Sequence, residues 1–90
     1  MTEEQNEEMM IEEEQILNGH VECVKEEAKL LTREGEIINK IQNAITSGED
    51  FDMNEYLGTV EEIAIAKMQM YQKLVAHIVD FKQKYRLPWY

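Results

Sequence analysis

The sequence predicts an all-α fold: a long antiparallel hairpin of two helices, about 9–46 and 53–85, that dimerises into a four-helix bundle or coiled coil. Three observations carry this. Apolar residues recur at helical spacing through nearly the whole chain. One stretch, "GEDFDMNEY" at 48–56, breaks that pattern with the chemistry of a turn. Ninety residues make one small domain, in which a single compact core is marginal, so long helices pairing along a seam are the usual remedy.

The first 14 residues hold seven glutamates and no basic residue, and residues 1–8 read as a frayed, solvated start. The same run could serve as an acidic contact surface for a basic partner. Helical periodicity begins near Met9 and continues to Ile45. One heptad column is Met10, Leu17, Val24, Leu31, Ile38 and Ile45, and a companion column gives Val21, Ala28, Gly35 and Gln42. Large residues alternate with small ones along this stripe, so a partner helix can approach closely. A second column, Met9, Ile16, Cys23, Leu30, Ile37 and Ala44, lies about 100° round the helix. Glu13, His20, Glu27, Glu34 and Ile41 run between the two. One seam in a hairpin does not need both columns, which points to two partners for this helix. Gly35 costs up to about 1 kcal/mol against alanine and marks a close crossing or a slight bend.

The first helix should end near Thr46, with Gly48 as its left-handed C-terminal residue. Asp52 is then an N-cap, with Glu55 at N3 as in a capping box. Phe51 and Tyr56 have the spacing of a hydrophobic staple, and Asp50 and Asp52 set negative charge at the positive end of the helix dipole.

The second helix, about 53–85, carries a stripe of Tyr56, Val60, Ile63, Ala64, Tyr71, Leu74, Ile78, Phe81 and Tyr85, interrupted by Lys67. Ile65, Met68, Val75 and Val79 form a further apolar line, so this helix too is apolar over more than one neighbour covers. Lys67 either snorkels from the seam edge or pairs with Glu27 or Glu34. Pro88 forbids continuation and biases Leu87 away from helix, leaving 87–90 as a tail beyond a 9–86 hairpin domain. Folding back near residue 49 sets Lys82, Lys84 and Arg86 beside Glu12, Glu13 and Glu14.

A formal net charge of −10 argues against a general nucleic-acid-binding role. The single cysteine, Cys23, cannot form an internal disulfide, and an intracellular, cytoplasmic setting fits. An acidic N-terminus is unlike a signal peptide, and the apolar runs, broken by Lys67 and His77, are too short to span a membrane. No partner in a membrane is expected.

The search for chemistry yields little. There is no Gly-rich phosphate loop. Cys23 with His20 one turn away could form a nucleophile and base, but such spacing is generic on any helix. The Glu-x-x-His pair of di-iron bundles is absent: Leu17 and Leu74 stand three residues before His20 and His77. A metal site of His20, Cys23 and Glu27 is the remaining candidate. Methionines 9, 10, 53, 68 and 70 read as core packing or as an adaptable groove, and Trp89–Tyr90 as a cap or an anchor. No catalytic residue, cofactor or metal is expected in this chain.

From Asp50–Phe51–Asp52 onward the chain resembles the C-terminal region of the kinesin-13 family, the internal-motor kinesins that depolymerise microtubules. The family pattern is an acidic helix, an Asp-aromatic-Asp turn, a tyrosine four residues on, and then spaced Glu, Ile, Lys and Phe-basic positions. Here those positions are Tyr56, Val60–Glu61, Ile63, Lys67, Leu74 and Phe81–Lys82, without a gap. "IEEEQILNGHVECVKEEAKLL" is similar to the family's acidic helix, so the likeness covers roughly residues 9–84. Gly58 and the "LPWY" ending depart from it.

The resemblance implies a larger motor whose ATPase head, with its ATP and Mg, lies outside these residues. It implies dimerisation and regulation by the tail, contact with the motor domain of the same protein, tubulin or microtubules as partners through that motor, and a cytoskeletal location. The other reading is a stand-alone acidic helical adaptor or scaffold.

Overall fold

A computed structural model of the chain describes residues 2–85. They form two helices, α1 (Glu3–Ser47) and α2 (Met53–Tyr85), packed antiparallel in a rod of 68 × 19 × 17 Å. The all-α hairpin expected from the sequence is the observed fold. Arg86, Leu87, Pro88 and the Trp89–Tyr90 end lie outside the described residues.

α1 begins at Glu3, ahead of the expected Met9, and the reason is local. Thr2 accepts from the backbone N–H of Gln5, and the Gln5 side chain accepts from the N–H of Thr2 at 2.9 Å, a complete capping box. Glu3 and Glu4 add negative charge in the first turn. At the other end Gly48 adopts φ 69°, ψ 19°. Its N–H donates to Ile45 O and the Glu49 N–H donates to Ala44 O at 2.9 Å, which closes two of the open carbonyls of the last turn. Asp52 caps α2 as expected: one carboxylate oxygen accepts from the N–H groups of Asn54 (2.9 Å) and Glu55 (3.3 Å). The Glu55 carboxylate is reached from the opposite helix by Lys40, a contact the capping-box reading did not foresee.

The seam is narrow. From α1 it takes Cys23, Ile37, Ile41 and Ala44, with Ile16, Glu27, Leu30 and Glu34 half-buried beside them. From α2 it takes Ile63 and Phe81, flanked by half-buried Tyr56, Val60, Tyr71, Leu74, Ile78 and Tyr85. All seven α2 residues expected at a packing interface therefore stand at the seam. The six expected from α1 do not. Leu17, Val21, Val24, Leu31, Ile38 and Ile45 are exposed, from 41% for Val21 to 62% for Leu31. Within the hairpin α2 packs on the second column of α1, one residue round, and the first column faces outward.

Ile63 is the one described large side chain that is essentially sealed, at 1% exposure. Ile63→Ala is expected to cost about 2–5 kcal/mol, enough to unfold a hairpin of this size, and urea titration followed by circular dichroism reads it directly. Gly48→Ala forces a Cβ into the left-handed region and should lower the unfolding free energy by about 1 kcal/mol, read as a lower midpoint. A midpoint unchanged in both variants would contradict this packing.

Candidate functional site

Two rows of polar contacts define the faces of the rod. Along the seam, the Tyr71 hydroxyl donates to Glu27 and the Lys67 ammonium to Glu34, both pairs half-buried. Of the two readings of Lys67, the ion pair is the one observed. At the far end Lys84 bridges to Glu12 at 2.5 Å, where the fold-back places basic residues of α2 beside the acidic start of α1. Residues 3–11 of α1 thus project past the described end of α2.

Two further bridges cross the hairpin, Arg33–Glu62 at 3.2 Å and Lys40–Glu55 at 3.1 Å. Each of these four residues directly precedes a seam residue: Glu34, Ile41, Ile63 and Tyr56. One residue is 100° of helical turn. In antiparallel helices the same rotational sense, taken along each chain direction, leads to the same side of the pair. The bridges therefore share one side of the rod. The exposed apolar columns follow seam residues by one (Cys23 to Val24, Leu30 to Leu31, Lys67 to Met68, Leu74 to Val75), and so share the other side. Met10, Leu17, Val21, Val24, Leu31, Ile38 and Ile45 of α1 line up there with Leu57, Met68 and Val75 of α2. Val79, one residue after the seam residue Ile78, extends this row, and Ile65 carries the apolar surface round the outer edge of α2.

The candidate functional site is this uncovered apolar side. It holds the six α1 residues that the sequence marked as an interface: Leu17, Val21, Val24, Leu31, Ile38 and Ile45. Sequence reasoning missed the Arg33–Glu62 and Lys40–Glu55 bridges. Both pairs are level when the chain folds about residues 47–48, close to the turn the sequence marks. Gly48 and Asp52 close the two helix ends at the turn, Glu55 donates its N–H to Asp52 and takes Lys40 on its carboxylate, and Asp50 and Phe51 stand exposed between the helices.

The other candidates resolve into packing. The buried Cys23 thiol points at the Met70 carbonyl, 3.9 Å away, while His20 is exposed and Glu27 is taken by Tyr71. Among the described residues no group of three or more His, Cys, Asp or Glu is placed to hold a metal ion. A shallow groove on the bridged side, lined by Gly19, Cys23, Glu26, Leu30, Met70 and Lys73, is open to solvent. No helix among the described residues is long and apolar enough to cross a membrane.

The Lys84 ammonium holds the Glu12 carboxyl below the usual carboxylate range, and Glu12 in turn raises Lys84. The bond to Glu27 raises the Tyr71 hydroxyl, with burial adding to it. Burial raises Tyr85, whose hydroxyl sits beside Glu12 without a well-formed hydrogen bond.

No protein-family model, curated protein or solved structure matches this chain.

These shifts give opposite pH signs. Glu12 binds its proton less readily in the folded chain, so its pair stabilises above the ordinary value of 4.5 and is lost as the pH falls through the lowered one. Tyr71 holds its proton more tightly, so its bond stabilises below the ordinary value of 10.0 and is lost as the pH rises through the raised one. Glu12→Gln should flatten the acid limb of the urea-midpoint profile, and Tyr71→Phe the alkaline limb. A variant whose limb matches the wild type shows that its pair contributes nothing.

Proposed function

We propose that this chain is a non-catalytic helical interaction module, the C-terminal assembly and regulatory element of a kinesin-13-like, ATP-dependent microtubule-depolymerising motor. The observation that carries the module reading is the sidedness of the hairpin. One side carries two cross-helix salt bridges in the half nearer the turn, and the other leaves the longest apolar stripe of the chain uncovered. A side chain array of this kind binds another surface; it does not gather nucleophiles, bases or ligands at one point.

The narrower motor reading rests on the register of residues from Asp50 to Lys82. On that reading ATP and Mg belong to the head, and the head and tubulin are the outer partners. The projecting start of α1, with Glu3, Glu4, Glu7 and Glu8, offers an acidic surface to a basic patch on the head.

The coding sequence on either side of these ninety residues tests the motor reading. A kinesin motor domain is expected on the N-terminal side in the same frame. A frame without one overturns the motor reading and leaves a stand-alone acidic adaptor.

A further inference from the structure

We propose that a second copy of this chain covers the apolar side, so that two hairpins meet face to face as a two-fold four-helix bundle. This deepens the interaction-module reading by naming the partner, the face and the point of closest approach.

Area is the first argument. The stripe from Met10 to Ile45 runs about 50 Å along α1, and the rod is 17–19 Å across. Such a face offers roughly 850–950 Å² per copy, about the size that stable protein pairs bury on each partner. The stripes stand on both helices, across the full width of that side, which a second hairpin matches and a single helix does not.

Charge is the second. The column from Met10 to Ile45 carries no ionisable residue, although the chain as a whole is strongly acidic. The inner edge of the face is polar, but Glu27 and Glu34 already hold Tyr71 and Lys67. Along α1 a partner therefore meets satisfied pairs rather than bare charge; on α2, Glu61, one residue after the seam residue Val60, sets one acidic position on the same side that has to stay hydrated.

Gly35 is the third. It lies mid-helix in the small-residue column with Ala28, where glycine costs stability. A Cβ built there meets nothing within 4 Å, so the hairpin itself gives no reason for glycine. A helix crossing closely from outside gives one.

Sedimentation equilibrium of the full chain from low to tens of micromolar tests the proposal. A mass rising to twice 10.6 kDa is expected, with tighter association at high ionic strength because two copies of charge −10 repel. Leu31→Lys should weaken the dimer about 100-fold by burying an unpaired ammonium, and Gly35→Leu should weaken it by overfilling the crossing. Both substitute open positions of the hairpin, so helical circular dichroism should persist. Asn39→Lys, on the outer edge of α1, should leave the mass unchanged. A monomer throughout, a dimer indifferent to Leu31→Lys and Gly35→Leu, or equal weakening by Asn39→Lys overturns the proposal. A dimer in a frame lacking a motor removes only the motor reading, and a monomer beside an upstream motor removes only the dimer.

Discussion

Two helices share one seam, and each helix here carries apolar residues over a wider arc than one seam can hide. The rest of the structure follows from that mismatch. An antiparallel pair can seal side chains such as Ile63 only where both backbones converge. Everything a hundred degrees away is left to solvent or to another chain. The hairpin accordingly seals very little, and its long helices depend on a thin line of contacts.

What selects the seam among the apolar columns of α1 is polar rather than apolar. Lys67 and Tyr71 interrupt the inner face of α2, and each needs an acceptor once half-buried. Glu27 and Glu34 lie on the line that supplies one. Rotating α1 to bring Val24, Leu31 and Ile38 inward would bury comparable aliphatic surface but carry those carboxylates away from their partners. Leaving an ammonium half-buried and unpaired costs more than one aliphatic column gains over another. The half-buried pairs thus decide which column goes inside.

This explains which parts of the fold were legible in the sequence. Gly48 and Asp52 were legible because a left-handed C-terminal residue and an N-cap depend on a few neighbours, and both helix ends at the turn fall where the residues put them. The stripe of α2 was legible because its best apolar line coincides with the seam. On α1 two apolar columns compete with nearly equal apolar content, and periodicity alone cannot rank them. The deciding information sits in a pairing between the helices: Lys67 takes Glu34 rather than snorkelling, and only one rotation of α1 presents that carboxylate. The early start at Glu3 was passed over for a different reason. An acidic run looks solvated, yet Thr2 and Gln5 cap it and Glu3 and Glu4 favour the helix dipole, so charge there supports the helix.

The sidedness of the rod also bears on how far association can go. A hairpin with apolar columns on both sides would present a fresh sticky surface with every copy added, and would stack without limit. Here the turn-proximal half of the side opposite the apolar stripe is spanned by Arg33–Glu62 and Lys40–Glu55, bridges that stay exposed and solvated, and the far half is a shallow groove edged by Glu26 and Lys73. Stacking a second apolar face on them would strip water from four charges for little return. Two copies that meet on the apolar side therefore turn their charged sides outward, and the assembly closes. The single-residue offset between the bridge positions and the apolar columns, one residue before the seam and one residue after it, is what separates the two faces.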